Sequence, residues 1–410
     1  MRQADPEKSL VHPWTPDVLY HVARRGTKRR AAGRPACEGQ GVTRHQDLEN
    51  LPVVDTDHLV GLVRTLSELP GPTGQEETVQ AWIAAHWRTF ANHVEMTPVN
   101  NVLARIGGHG RRLVVMGHAD EICLMVKSVS ESGHLHVWPF YRDTLGRPPR
   151  WFNPASQPCL VLTDHGTIPG FIAAASGHVV GGQLSNSGGL EWNDLFIEIG
   201  ANSAEEVRAL GIHAGCRIIW NSRMTRLGDH LLVGKAMDDR AALAIATVVG
   251  ELLAGRDDLA FEVWLASTVQ EENGLIGASS VVDAQPFGLA INLDVGLTGD
   301  IPGPDARDFP SRLGHGPILV HSDSSIHYTR TLIRDLATAG EAAGAPVQHA
   351  IFQNYSSDGA ELIRRGVETA LLAYPTRYTH SPIETVDVRD LVGIIRLILS
   401  FATTPRIPAE

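Results

Sequence analysis

Residues 263–275, VWLASTVQEENGL, form a run of apolar and β-branched residues that ends in two adjacent glutamates, Glu271 and Glu272. A short apolar run followed by the turn residues Asn273 and Gly274 predicts a buried β-strand. The two glutamates would then stand at the carboxyl end of that strand. Because neighbouring carboxylates repel each other and burial raises the cost, the pair suggests a site rather than two surface charges.

The segments around this strand alternate between strand and helix patterns. From about residue 231 onward, helical patterns separate the strand-like runs FEVWLASTV, LAINLDVG and TALLAYPT. Closer to the start of the chain, the run LVVM precedes the polar cluster GHADE. Strands that alternate with helices predict an α/β fold with a mostly parallel sheet flanked by helices. An early helix is expected after PGPTG, with Thr73 and Glu76 as its capping box.

Residues 125–228 have a different pattern. Short β-like runs such as LHVWPF, CLVLTDHG and RIIW are broken by Gly, Pro, Asn and Asp, which predicts a mostly-β insert. One short helix is expected inside it, with Ser203 and Glu206 as a capping box and Gly211 at its end. The α/β domain would therefore come in two parts, residues 51–124 and residues 229–410.

The first 50 residues differ from the rest of the chain. They hold nine Lys or Arg against six acidic residues, whereas the whole chain has a net charge of -11. The stretch ARRGTKRRAAGR has no sustained apolar period, and it lacks the apolar core of a secretory signal. We expect residues 1–50 to be a disordered basic extension, with a basic interaction tail as the alternative.

The composition excludes several classes of protein. With 410 residues, 43% hydrophobic and 20% charged, the chain has an ordinary globular composition and is long enough for an insertion or a second domain. It contains no apolar run of about 18 residues, which argues against a membrane-spanning helix. The acidic net charge argues against nucleic acid as a partner. Four widely spaced cysteines without a C-x-x-C pair argue against a disulfide framework and fit a reducing cytoplasm.

Acidic and histidine side chains recur at the predicted strand ends. In an open α/β sheet the carboxyl ends of the strands line one edge, where ligands bind. Five segments bring such residues to this edge: His118 and Asp120, Asp238 and Asp239, Glu271 and Glu272, Asp294, and His380. Each of these residues alone is more simply explained as a helix cap, a turn residue or a structural histidine. Together they suit Zn²⁺, Co²⁺ or Mn²⁺, and they are numerous enough for two ions and one separate general base.

Taken together, these segments resemble the M42 family of metallo-aminopeptidases, which includes the glutamyl and tetrahedral aminopeptidases. The matching motifs extend from about residue 70 to residue 395 and include GHADEI, GKAMDDRAA, TVQEENGLIGA, LDVG, SSDGA and PTRYTHSPIE. The resemblance implies a zinc-peptidase-like catalytic domain in which residues 125–228 are an inserted dimerisation domain. It also implies a dimer-based homo-oligomer, up to a dodecamer, that acts on short peptides.

The resemblance also implies a role for each matching residue. His118, Asp238 and Asp294 would bind one divalent metal, and Asp238, Glu272 and His380 the other, with Zn²⁺ or Co²⁺ expected at both. Glu271 would be the general base that takes a proton from the water shared by the metals. Asp120 would orient the imidazole of His118.

Some positions depart from the family pattern without removing a ligand or the base. Cys123 stands where Gly is usual, and we expect its free thiol to make the protein sensitive to oxidation. The segment after the paired glutamates and the motif SSDGA also differ, which affects the expected substrate and metal preference.

Three other functions remain open from the sequence. A related metal-dependent amidohydrolase or deacylase would use the same fold on a different amide. A glycoside hydrolase with paired carboxylates is disfavoured, because such pairs stand about 5–9.5 Å apart on opposite sides of the sugar. A scaffold that has lost its activity would not need the spare carboxylate of Glu271.

Overall fold

The computed structural model describes residues 51–140, 148–149, 152–180 and 189–405. The extension predicted over residues 1–50 lies outside the described residues. The helices of the described part are α1 (Thr56–Glu68), α2 (Glu77–Trp87), α3 (Gly177–Val180), α4 (Ala204–Ala209), α5 (Met237–Leu253), α6 (Ile276–Ala284), α7 (Arg330–Ala342), α8 (Gly359–Arg364) and α9 (Val388–Thr403). None of the helices in this part is long and apolar enough to cross a membrane.

The strands belong to two separate sheets. The larger sheet contains β1 (His93–Met96), β2 (Val102–Gly107), β3 (Arg112–His118), β10 (Thr225–Leu227), β11 (Leu231–Gly234), β12 (Glu262–Thr268), β13 (Leu289–Leu297), β14 (Ile318–Ser322), β15 (Gln348–Ile351), β16 (Glu368–Arg377) and β17 (Glu384–Asp387). The smaller sheet contains β4 (Cys123–Val129), β5 (Leu135–Phe140), β6 (Pro158–Thr163), β7 (Gly166–Ala174), β8 (Leu195–Glu198) and β9 (Arg217–Trp220).

The large sheet is parallel at its centre and antiparallel at its flanks. Strands β12, β3, β13 and β16 are parallel neighbours in that order. Beyond β12 the sheet continues with β2 and then β1, and each of these pairings is antiparallel. Beyond β16 it continues with β17, β11 and β10, again with antiparallel pairing. The predicted α/β fold is confirmed. At the flanks, β1 with β2 and β10 with β11 form hairpins, whereas β2 pairs with β12 and β11 with β17 across long stretches of sequence.

Helices cover both faces of the central strands. Side chains of α1, α5, α7 and α9 pack with Leu113 and Val115 of β3 in one hydrophobic core. Residues of α6 and α8 pack with Val114 and Met116 of the same strand in a second core. A parallel strand that is buried on both faces needs a nearly continuous apolar sequence. This requirement explains why LVVM and VWLA contain no alternating polar residues.

The smaller sheet closes into a six-stranded barrel that runs from Cys123 to Trp220 and lies almost entirely within the predicted β-rich insert. The strand order around the barrel is β4, β5, β8, β7, β6 and β9, and every pairing is antiparallel. The barrel has its own hydrophobic core, which includes Val126, Leu135 and Ile197. Closure removes free strand edges. The domain boundaries 51–124, 125–228 and 229–410 and the dimerisation role remain predictions.

Of the two predicted capping boxes, the one at α4 is confirmed only in its Ser203 half, because the Glu206 carboxylate accepts the N–H of Asn202, and the one at α2 is wrong. The Ser203 hydroxyl accepts the N–H of Glu206 at the start of α4, as expected. At α2, however, neither Thr73 nor Glu76 caps the helix, which begins at Glu77 without a side-chain cap. Their side chains bond instead to the segments that carry the candidate site.

Candidate metal centre

Five segments place the predicted residues at one edge of the large sheet. His118 is the last residue of β3, Asp294 lies near the end of β13, and Glu271 and Glu272 follow β12. Asp238 is at the amino end of α5, and His380 lies between β16 and β17. The first five side chains named are buried, and that of His380 is 16% exposed. The parallel strands end at this edge, and their alignment brings together residues that are far apart in sequence.

The residues form two clusters with the spacing of metal ligands. His118, Asp238 and Asp294 each offer a ligand atom within 4.8 Å of the others, and so do Asp238, Glu272 and His380. Asp238 belongs to both clusters. Its Oδ1 is 3.1 Å from Nε2 of His118, and its Oδ2 is 3.4 Å from Nε2 of His380. The two oxygens of Asp238 therefore face different halves of the site.

Asp239 belongs to neither cluster, although it is adjacent to Asp238. Its Oδ2 accepts the backbone N–H of His118 at 3.0 Å, and its Oδ1 accepts the hydroxyl of Tyr374 at 2.5 Å. Both oxygens are thus already hydrogen-bonded to protein groups. This geometry favours Asp238 over Asp239 as the shared ligand.

Asp120 contacts the imidazole of His118 and the backbone of the segment that carries Glu271 and Glu272. Nδ1 of His118 is 3.1 Å from the backbone oxygen of Asp120 and 3.4 Å from its Oδ1. The carboxylate also accepts the N–H of Glu271 at 2.9 Å and that of Glu272 at 3.1 Å, together with the hydroxyl of Thr73 at 3.0 Å. The sequence predicted only the contact with the imidazole. Two further hydrogen bonds of this carboxylate fix the backbone of the two glutamates.

The adjacent glutamates have different surroundings. Oε1 of Glu272 is 3.1 Å from Nε2 of His380, inside the second cluster. Glu271 belongs to neither cluster, but it lines the same cavity of about 950 Å³ as Asp294 and His380. One glutamate therefore lies among the candidate ligands, whereas the other lies outside both clusters.

The site carries more negative charge than its histidines balance. Burial, with the nearby charge of Asp238, raises the pKa of Asp294 well above its ordinary value. Burial also raises the pKa of Glu271, with Asp294 and Glu272 adding to the effect. Burial alone would raise the pKa of Asp238, but its hydrogen bonds to His118 and His380 lower it. The two imidazoles and three carboxylates of the clusters are ligands that divalent cations prefer, and such cations would neutralise the excess negative charge.

Glu384 is a further residue of the site that the sequence did not indicate. Its buried carboxylate accepts the N–H of Asp238 at 3.0 Å and the N–H of His380 at 2.6 Å. It therefore holds the backbone of two candidate ligands from different segments. The only signal in the sequence was an acid four residues after His380 in THSPIE.

The structure argues against the oxidation sensitivity expected of Cys123. Its thiol is buried, and burial raises its pKa far above the ordinary value for cysteine. Oxidation proceeds through an accessible thiolate, which this environment disfavours. Cys159 and Cys216 are also buried free cysteines, whereas Cys37 lies outside the described residues.

A mixed α/β sheet with two histidines and several buried carboxylates at the ends of its parallel strands defines a metal-dependent hydrolase. The model of the M42 glutamyl aminopeptidase family matches residues 100–397, and the chain belongs to that family. It is therefore a peptidase of a family that depends on divalent metals.

Known proteins are similar along nearly the whole described chain. The putative aminopeptidase FrvX of Escherichia coli K12 is 28% identical over 84% of this chain and 95% of its own length. The crystal structure of a TET aminopeptidase from a marine sediment archaeon of the Thaumarchaeota has a TM-score of 0.79 and 27% identity, covering 85% of this chain and 96% of that one. The TET1 peptidase of Pyrococcus horikoshii, which can assemble into a tetrahedron or a large octahedral shell, has a TM-score of 0.74 and 25% identity, covering 84% and 99%.

Proposed function

We propose that the chain is a dinuclear metal-dependent aminopeptidase that removes N-terminal residues from short peptides. The observation that carries this proposal is the sharing of Asp238 by two ligand clusters, with Glu271 beside them but in neither. Family membership supports the aminopeptidase activity. Zn²⁺ or Co²⁺ would suit the mixture of imidazole and carboxylate ligands.

Together the candidate ligands are positioned to hold two ions. His118 and Asp294 would bind one ion, Glu272 and His380 the other, and Asp238 both. Divalent ions in such a pair polarise a substrate carbonyl and make a water molecule more acidic. The hydrogen bonds that Asp120 and Glu384 accept from backbone N–H groups of the ligand segments would keep the geometry fixed between turnovers.

Glu271 would act as the general base. It would take a proton from the attacking water and pass it to the leaving amine, a task that needs a carboxylate free of the ions. Its backbone N–H is held by Asp120, so the side chain starts from a fixed point. The buried environment raises the pKa of Glu271, and bound cations would oppose that increase.

The assembly and location of the protein are part of the same proposal. The relative from Pyrococcus horikoshii assembles into a tetrahedron or an octahedral shell. We expect this chain to form a homo-oligomer as well, built from dimers joined through the barrel over residues 125–228 and reaching a dodecamer. We also expect it to act in the cytoplasm, without nucleic acid or a membrane as partner.

A peptide digestion distinguishes this function from its alternatives. Short peptides with a free amino end and the same peptides with an acetylated amino end are incubated with the protein and added Zn²⁺ or Co²⁺. Stepwise release of N-terminal residues from the free peptides alone, abolished by a chelator, is expected. Cleavage of the acetylated peptides would favour an amidohydrolase or deacylase. Hydrolysis of an oligosaccharide in a parallel incubation, if it survives chelation, would favour a glycosidase, and no turnover of any of these substrates would favour an inactive scaffold.

A further inference from the structure

The loop over residues 71–76 is positioned between two segments of the candidate site. Its backbone pairs with Glu121, since the N–H of Thr73 donates to the oxygen of Glu121 at 3.1 Å and the N–H of Glu121 donates to the oxygen of Gly71 at 3.0 Å. Its side chains then reach Asp120 and the segment around Gln270. The loop thus joins the segment after β3 to the segment after β12.

Glu76 makes the contact with the second of these segments. Its Oε1 accepts the N–H of Gly74 at 2.7 Å and the N–H of Gln270 at 3.1 Å, and the residue is only 4% exposed. The next two N–H groups along the chain, those of Glu271 and Glu272, donate to Asp120. Two buried carboxylates therefore hold three successive N–H groups.

Gln270 needs such an anchor because of its backbone conformation. Its φ is 53°, in the left-handed region that costs free energy for any residue other than glycine. The residue stands directly before Glu271, so its φ and ψ decide the direction in which the chain leaves β12. Without an acceptor for its N–H, relaxation of Gln270 would turn the backbone of Glu271.

We propose that Glu76 is a positioning residue for Glu271, acting through the N–H of Gln270. This inference rests on the proposed role of Glu271 as general base. The carboxylate of Glu76 acts as a hydrogen-bond acceptor rather than as a charge. Its surroundings support that distinction, because burial and the nearby Asp120 disfavour its ionised form and raise the pKa of Glu76 to about 7.

The test compares four variants as full-length, metal-loaded enzyme. Glu76→Ala removes the acceptor, and Glu76→Gln keeps an amide oxygen at the same position. Glu76→Asp shortens the side chain by one methylene, so that it does not reach Gln270. Glu77→Ala is the matched control, because Glu77 is an exposed acid in the first turn of α2. The measurements are kcat and KM on an aminoacyl p-nitroanilide, metal content and the melting temperature.

A positioning role predicts a specific pattern. Glu76→Ala and Glu76→Asp should each lower kcat about 10- to 100-fold with KM within about threefold, since misplacement of a catalytic group chiefly affects the chemical step. Metal content should stay at two ions per chain. Glu76→Gln should recover most of the lost kcat, and Glu77→Ala should match the wild-type enzyme. If Glu76→Ala does not fold, Glu76→Asp and Glu76→Gln carry the same comparison.

A double variant tests the link through Gln270 directly. Glycine adopts the left-handed conformation without the steric cost of a side chain. Glu76→Ala combined with Gln270→Gly should therefore have a higher kcat than Glu76→Ala alone, by roughly fivefold. A double variant no faster than Glu76→Ala would contradict a role that acts through the conformation of Gln270.

The remaining outcomes separate this inference from the proposed function. Wild-type kcat in Glu76→Ala, or a Glu76→Gln variant as slow as Glu76→Ala, overturns the positioning role. Loss of metal or of the fold in both Glu76→Ala and Glu76→Gln also overturns it. Glu271→Gln is measured in parallel, and full turnover in that variant overturns the general base whatever the Glu76 variants do. Inactive Glu271→Gln beside fully active Glu76→Ala overturns the positioning role alone.

Discussion

The buried ion pair between Lys235 and Glu121 offers a stability test that can be worked out from the structure. Nζ of Lys235 is 2.8 Å from both carboxylate oxygens of Glu121, and both residues are almost completely buried. The other charged neighbour of Glu121 is Arg240, at 3.7 Å. Lys235→Met keeps the length of the side chain but leaves the buried Glu121 carboxylate with Arg240, at 3.7 Å, as its remaining cation.

The expected loss of stability follows from the cost of an unpaired buried charge. Removing one partner of such a pair costs about 3–5 kcal/mol. The unfolding entropy of a 410-residue chain is about 0.9 kcal/mol per kelvin, so this cost lowers the melting temperature by roughly 3–6 °C. Adding Glu121→Gln removes the stranded charge, while the amide oxygen still accepts the N–H of Gly71. The double variant should therefore melt at a higher temperature than Lys235→Met alone.

The assay is calorimetric unfolding at matched protein and metal concentrations, because oligomerisation and bound metal both shift the melting temperature. Lys127→Met is the control, since Lys127 is an exposed lysine of β4 that lies over Trp138. It should change the melting temperature by about 1 °C or less. A loss in Lys235→Met no larger than that in Lys127→Met would refute the reasoning. A double variant that melts below Lys235→Met would refute it as well.

Two further predictions concern the metal ligands and the dependence of stability on pH. Glu272→Ala should bind one ion per chain instead of two, as measured by elemental analysis, because Glu272 belongs to the second cluster only; two retained ions would contradict its role as a ligand. Burial alone would raise the pKa of Asp300, but the two hydrogen bonds that it accepts from Arg377 lower it. The pair therefore stabilises the fold fully above the unfolded-state pKa of about 3.9. This stabilisation is lost as pH falls through the lower folded-state pKa. Asp300→Asn should therefore lower the melting temperature by a constant amount between pH 6 and pH 8, with a difference that shrinks below about pH 4; a difference unchanged at low pH would contradict this cause.

The sequence predicted the parts of the fold that depend on local pattern. Apolar runs such as LAINL mark strands buried on both faces, and the carboxyl ends of parallel strands meet at one edge. For that reason the sequence could indicate that His118, Glu272 and Asp294 lie near one another. Its prediction of a parallel sheet was correct for the central strands, whereas the order and direction of the flanking strands depend on pairings between distant segments.

The sequence failed where a polar side chain bonds to a distant segment. Thr73 and Glu76 have the spacing of a capping box, but their partners are Asp120 and Gln270, and Gln270 is 194 residues from Glu76. A buried hydrogen bond to the N–H of Gln270, whose backbone is strained, stabilises the fold more than a cap at the exposed start of α2 would. No local sequence pattern contains that information. The same reason explains why Glu384, whose partners lie in two segments, was not predicted. Closure of the barrel was missed because it depends on pairing between β4 and β9, at the two ends of the insert.

The central claim is that adjacent glutamates have separate tasks, with Glu272 holding metal and Glu271 moving protons. The most direct measurement is the metal content and turnover of Glu271→Gln, prepared with excess Zn²⁺ or Co²⁺ and freed of unbound ions. We predict two ions per chain, the same content as in the wild-type protein, and a loss of peptide turnover by at least about 100-fold. Full turnover in this variant, or the loss of an ion from it, would contradict the account.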